Sequence, residues 1–223
     1  MNFKFYPANE EHYMNYGVHF PDDYADLPLM VYLHGAGERG LKYDHVARHA
    51  ISKLIAEGRE YKAVVLAPQC PEDCVWDNVV KDLKKIIDSV AAEYGIKRDR
   101  ICITGNSMGG YGTFAMGMAY PNFFSAMAPI SGGGMPWRYT NLKTTPIWAA
   151  HGDLDDLVPL QCTKMVVDSV NAHGGNAKFT VCQGFGHNDG IDEAYRNTEI
   201  IDWLLEQRRT TDEIAYEFCR ECF

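Results

Sequence analysis

Short apolar runs alternate with longer amphipathic stretches along most of the chain, and glycine, proline or clustered polar residues separate them. Leu29 to Leu33 and Ala63 to Ala67 are almost wholly apolar, as are Ile101 to Ile103, Phe124 to Ile130 and Pro146 to Ala150. Such runs predict strands covered on both faces. Lys178 to Cys182 predicts a last strand, and Phe3 to Tyr6 with Tyr16 to Phe20 an antiparallel edge pair that Pro21-Asp-Asp terminates. The clearest helix places Val79, Leu83, Ile86, Ile87, Val90 and Tyr94 on one face, with Asp77 or Asn78 as its cap and Gly95 as its stop. Further helices are predicted over Val46 to Glu57 (closed by Gly58), Met108 to Tyr120 (stopped by Pro121), Cys162 to Asn171 and Ile191 to Gln207. Strands alternating with helices predict an α/β fold: a mainly parallel central sheet with helices on both faces.

The length of 223 residues fits one α/β domain spanning 1–223. The tail, 208–223, has no assigned role; Ile214, Tyr216 and Phe218 are compatible with a short packed helix there. A net charge of −9 without a basic cluster disfavours nucleic acid and anionic membrane surfaces as partners. No stretch reads as a signal peptide or a membrane span, and Cys102 and Cys182 fall inside predicted core strands, so a reducing cytoplasm is the expected compartment. Cys70 with Cys74 and Cys219 with Cys222 lack the spacing and neighbouring histidines of a metal site, and no metal or organic cofactor is expected. Association of two copies through an exposed edge or the tail is compatible with the sequence.

In an open parallel sheet, ligands bind beyond the carboxyl ends of the strands. The residues that follow the apolar runs therefore carry the chemistry. Gly105-Asn-Ser107-Met-Gly109 sits between a strand and a helix, the setting for a tight turn that lifts a serine hydroxyl clear of the sheet. Such a hydroxyl needs a base, and His187, in Gly184-Phe-Gly-His187 after the last strand, is the best placed. Asn188 and Asp189 are expected to cap the helix that follows. Asp153, Asp155 and Asp156, in the loop after the preceding strand, compete to orient that histidine. His151, at the strand end, suits a structural hydrogen-bonding role.

The order serine, acid, histidine, together with His34-Gly-Ala-Gly-Glu-Arg-Gly40, Ala67-Pro-Gln69 and Gly105-Asn-Ser-Met-Gly-Gly-Tyr-Gly-Thr113, resembles the α/β-hydrolase superfamily. Within it the chain looks like the small carboxylesterase, phospholipase and predicted-peptidase group, which includes prolyl-oligopeptidase-like and feruloyl-esterase-like members. The resemblance implies the α/β-hydrolase fold and a triad of Ser107, His187 and Asp155. The acid falls on Asp155 by the pattern His-Gly-x-x-Asp-x-x-Val-Pro. Asp153 then serves the turn and Asp156 points outward. The backbone N–H groups of Ala36 and Met108 would form the oxyanion hole, with Glu38 and Arg39 bracing the glycine-rich loop.

The expected function is hydrolysis of carboxylic esters through an acyl-enzyme. The short segment from Gly132 to Thr140 leaves no room for a large lid domain. Trp76, Tyr111, Met135, Trp137 and Tyr139 are expected to line an open cleft for a small-molecule ester with a short or aromatic, feruloyl-type acyl group. A peptidase or thioesterase using the same triad is one alternative, and a non-catalytic binding protein of the same fold is another.

Overall fold

The computed structural model describes residues 1–40 and 42–209. Eight strands form one sheet: β1 (Asn2–Tyr6), β2 (Tyr16–Phe20), β3 (Leu29–Leu33), β4 (Val64–Pro68), β5 (Ile101–Asn106), β6 (Met127–Ile130), β7 (Ile147–Gly152) and β8 (Ala177–Cys182). Their spatial order is β1-β2-β4-β3-β5-β6-β7-β8, parallel from β4 to β8, with β1 and β2 added as an antiparallel edge. Every run predicted as a strand is one, within a few residues. The tail residues 210–223, with Ile214, Tyr216, Phe218, Cys219 and Cys222, lie outside the described residues.

Strand periodicity divides the core between the two faces. Successive side chains point to opposite sides of the sheet, so Leu29, Val31 and Leu33 join one apolar cluster while Met30 and Tyr32 join the other. Val64 and Leu66 against Val65 and Ala67, and Ile101 and Ile103 against Cys102, repeat the division. Each fully buried Leu, Ile or Val contributes about 1.5–3 kcal/mol relative to exposure, which favours a two-sided sheet for these runs.

Helices α1 (Ala50–Ala56), α2 (Val80–Glu93), α3 (Met108–Ala119), α4 (Tyr139–Leu142), α5 (Gln161–Ala172), α6 (His187–Asn197) and α7 (Ile200–Glu206) cover the sheet. Three differ from expectation at their ends. The stretch read as one helix from Val46 begins as a 3-10 turn (Tyr43–Arg48) and restarts at Ala50, whose φ is +47°. A 3-10 turn (Trp76–Val79) likewise precedes α2, and Asn78 turns its side chain back to accept the N–H of Val75 at 3.1 Å. The predicted closing helix is two helices with a break at Thr198, and the first starts four residues earlier than expected, at His187. Gly95, at φ +65°, ends α2 as predicted. Between β6 and β7 the chain makes only one 3-10 turn (Pro136–Arg138) and the four-residue α4, so this segment supplies no large lid over the sheet's carboxyl edge. Among the described residues no helix is long and apolar enough to cross a membrane.

Candidate active site

The turn from β5 into α3 is tight enough that two positions admit nothing larger than glycine. A Cβ on Gly109 would stand 1.9 Å from the Leu33 carbonyl oxygen, and one on Gly105 would stand 2.4 Å from the Gly109 carbonyl oxygen. Between them Ser107 adopts φ +56° and ψ −120°, a conformation costing on the order of 1–3 kcal/mol that packing must enforce. Its N–H is tied to the Ile130 carbonyl at 2.9 Å, and the Tyr111 N–H returns to its carbonyl at 3.1 Å. The side chain is thereby presented at the carboxyl edge of the sheet, at the positive end of α3.

His187 is the first residue of α6, and its ring spans the gap between two other loops. Nε2 lies 2.9 Å from Ser107 Oγ, and Nδ1 lies 2.7 Å from Asp155 Oδ2. Asp155 is ionised and only accepts, so Nδ1 carries the ring proton and Nε2 accepts from the serine hydroxyl. Burial alone would raise the Asp155 carboxyl. The N–H of Val158, the His187 ring and the N–H of Leu157 outweigh it and hold the group below its ordinary value. Oδ1 receives those two N–H groups at 2.8 and 3.0 Å.

The neighbouring aspartates separate cleanly. Asp153 accepts the N–H of Gly184 at 2.6 Å and so ties the β7 and β8 loops together, while Asp156 is exposed. Asp189 lies in the first turn of α6 rather than at its cap, which is Gly186, and neither Asp189 nor Asn188 caps the helix with its side chain.

Ala36 and Met108 each open a helical turn, so their N–H groups have no partner within it. Ala36 lines the same cavity as Ser107 and His187, of about 280 Å³. The rest of that cavity was not anticipated from sequence. Glu38, His49, Asn106, Leu157, Asn188, Ile191 and Asp192 line it. Ile191 and Asp192 were findable, because they lie one turn beyond His187 on α6 once the helix is started at that residue. His49 carried no local signal.

The glycine-rich loop is held from beneath. His34 Nδ1 donates to the Gly35 carbonyl at 2.6 Å and Nε2 accepts the N–H of Cys70 at 2.9 Å. Burial pushes this imidazole down to about 4, so it is a neutral structural group. Glu38 and Arg39 do not pair with each other. Arg39 donates to the carbonyls of Ala36 and Cys74. The Glu38 side chain turns inward at 2% exposure, and its Oε1 has no partner among the described residues. Burial pushes its carboxyl up to about 7.

The five residues expected to line the substrate cleft are not gathered around Ser107. Trp76 is fully buried: its indole N–H donates to the His34 carbonyl at 3.0 Å, and its ring fills the space left by the missing side chain of Gly112. Tyr139 stacks on His173 with ring centroids 3.6 Å apart. Tyr111 and Met135 border a separate groove of about 230 Å³ beside α3, and Trp137 is exposed on the loop that follows. These residues were expected to offer flat apolar contacts to the acyl group, but Trp76 and Tyr139 fill internal and surface packing positions instead.

A thermostable esterase of known structure superposes with a TM-score of 0.77 at 30% identity, covering 93% of this chain and 63% of that one. An acyl-protein thioesterase 1 from Neurospora crassa is 34% identical over 133 residues, 56% of this chain and 51% of that protein. A poly(3-hydroxyalkanoate) depolymerase C from Paucimonas lemoignei is 29% identical over 136 residues, 54% of this chain and 31% of that protein. The chain thus spans about half of one of these curated relatives and about a third of the other. The family described as phospholipase/carboxylesterase matches residues 61–197, more than half of the chain and the stretch that holds Ser107, Asp155 and His187. With its eight-stranded sheet and this match, the chain belongs to the phospholipase/carboxylesterase family of the α/β-hydrolase fold.

Proposed function

We propose that the protein hydrolyses carboxylic esters, with Ser107 as nucleophile, His187 as general base and then general acid, and Asp155 as the group that orients and charges the base. The observation that carries this reading is the unbroken path Ser107 Oγ to His187 Nε2, 2.9 Å, and His187 Nδ1 to Asp155 Oδ2, 2.7 Å. As Oγ attacks the substrate carbonyl carbon, its proton passes to Nε2, and the imidazolium is stabilised by the Asp155 carboxylate. The carbonyl oxygen gains the negative charge, which the N–H groups of Ala36 in the glycine-rich loop and of Met108 at the N-terminus of α3 receive. Collapse of this adduct breaks the bond to the alcohol, which takes the proton from Nε2 and departs. A water molecule then repeats the sequence on the acyl-enzyme, regenerating Ser107 and releasing the acid.

The cavity favours small substrates. Its volume of about 280 Å³ and its mixture of Leu157 and Ile191 with Glu38, Asn106, Asn188 and Asp192 suit a short acyl or compact aromatic group carrying hydrogen-bonding substituents. Long alkyl chains would have to leave it along an open surface. The thioesterase relative favours a second reading, in which the same triad takes a thioester. Purified wild type and Ser107→Ala, assayed side by side on esters of graded acyl length, thioesters and peptide amides, test the proposal. Hydrolysis of short esters by wild type alone is the expected result. Equal activity of both proteins, or a rate that climbs steadily with acyl length beyond about eight carbons, contradicts it.

A further inference from the structure

Directly behind Asp155, at the end of β7, lies a buried polar cluster that the triad does not use. His151 has no exposed surface. Its Nε2 faces two acceptors, the Val158 carbonyl at 2.8 Å and Asp155 Oδ2 at 3.1 Å. Its Nδ1 lies 2.8 Å from Thr163 Oγ1, which is itself 2.7 Å from the Gly132 carbonyl. A carbonyl and an ionised carboxylate cannot donate, so the ring proton sits on Nε2. Burial pushes the imidazole below its ordinary value although Val158 and Asp155 pull it upward, and the ring is therefore a neutral donor rather than half of an ion pair.

Two imidazoles thus converge on one oxygen of Asp155: His187 Nδ1 and His151 Nε2. The N–H groups of Leu157 and Val158 hold only Oδ1, about which the carboxylate could otherwise pivot. Behind His151, the Thr163 hydroxyl has one proton and two acceptors in reach, His151 Nδ1 and the Gly132 carbonyl, and the backbone of Gly132 packs against Gly110 in the first turn of α3. The acid is consequently braced against the helix that begins beside the nucleophile.

The geometry points to His151 as a positioning residue: its Nε2–H fixes the Asp155 oxygen that orients His187, and Thr163 fixes His151. This inference rests on the proposed roles of Ser107, His187 and Asp155. Other groups near the pair are Tyr111 on α3 and Cys162 on α5 beside Asp155, and Glu38, His49 and Asp192 around the cavity that His187 faces. Losing the His151 donor leaves more of the Asp155 charge to stabilise the His187 imidazolium, so the acid limb of the kcat/KM profile moves to higher pH. Losing the alignment lowers kcat and leaves KM nearly unchanged.

His151→Phe, His151→Gln and Thr163→Val test this against wild type, with thermal melts to establish folding and isotope-labelled imidazole NMR to titrate His187 without turnover. His151→Phe is expected to lower kcat about ten- to a hundredfold with little change in KM. The acid limb and the His187 titration should both shift upward. His151→Gln, which keeps a donor, should recover part of each change, and Thr163→Val should move both in the same direction by less. Folded variants that match wild type in kcat, acid limb and His187 titration overturn the inference. If His151→Phe does not fold, the other two variants decide. If wild type hydrolyses no ester but the His187 titration still moves in the variants, positioning stands and the hydrolase reading falls. If wild type is active and the titration stays fixed, positioning alone falls.

Discussion

On one wall of the Ser107 cleft, Asp155 is held by three hydrogen-bond donors, two backbone N–H groups and the His187 ring, with His151 Nε2 a further 3.1 Å contact from the end of β7. The glycine-rich wall is built in the other manner. It turns through short 3-10 segments, holds Ala50 at φ +47°, and buries Glu38 with one carboxyl oxygen unpartnered among the described residues. A satisfied polar network fixes geometry, whereas a buried unpaired carboxyl costs on the order of 1–3 kcal/mol and makes its wall sensitive to protonation. The triad wall is arranged for alignment, and the loop wall carries the unpartnered carboxyl.

The comparison breaks most visibly if the triad wall can be altered without consequence. Ser107→Ala should lower turnover by at least about a thousandfold with the melting temperature nearly unchanged, as measured by ester hydrolysis and thermal unfolding. Asp155→Asn keeps the shape but can no longer hold His187 with the proton on Nδ1, and a loss of about a thousandfold or more in kcat is expected. Retention of a tenth of wild-type activity by either variant would remove the triad wall's assigned role.

The next effect concerns the fit between β5, α3 and β3. Gly109→Ala places a methyl group where the Leu33 carbonyl oxygen already lies, so the backbone must shift. A loss of about 1–3 kcal/mol in denaturant unfolding is expected, with activity falling further than stability because the elbow moves. Stability equal to wild type would contradict this packing account.

The loop wall is sharpened by pH. Glu38 titrates at about 7 in the folded protein, above its ordinary carboxyl value of 4.5, so folding favours its protonated form. Stability from this group is full below the unfolded value, declines as pH rises toward about 7, and levels off above that. The total is roughly 3 kcal/mol by linkage, at 2% exposure. Glu38→Gln should remove that decline, so the gap between variant and wild-type melting temperatures widens from pH 5 to pH 7 and then stays constant. A constant gap throughout would show that Glu38 does not titrate in this range.

The smallest change is expected from the loop beyond the groove. Met135 and Trp137 are 55% and 61% exposed and lie outside the Ser107 cavity. Replacing both by alanine should alter kcat/KM for small esters by less than about threefold, since no contact to the cavity is lost. A much larger loss would restore the reading of these residues as part of the substrate site.

The strand order of chemistry was legible because each element of it is written locally. Continuous apolar runs marked the two-sided strands, and Gly105, Ser107 and Gly109 marked the elbow through the close approaches that glycine alone permits. The histidine was identifiable in the loop after the last strand, and the acid as one of three aspartates after the preceding strand, of which the family pattern singled out Asp155. What escaped the sequence depends on contacts between distant segments. Trp76 fills the gap opposite Gly112, 36 positions away, so its local setting beside a turn gave no sign of burial. Glu38 and Arg39 were both expected to brace the glycine-rich loop, and Arg39 does so through backbone carbonyls, but the Glu38 carboxyl turns inward instead. The start of α6 at His187 was missed because a glycine, Gly186, serves as its cap in place of the Asn and Asp residues that composition favours.

The most direct test of the central claim is mass spectrometry of the intact protein and its peptides after treatment with a fluorophosphonate, which traps a serine hydroxyl activated by an adjacent imidazole. One equivalent of label on Ser107 of wild type is predicted, with none on Ser107→Ala and a much slower reaction for Asp155→Asn. Wild-type protein that stays unmodified, or carries its label on another residue, would contradict the account.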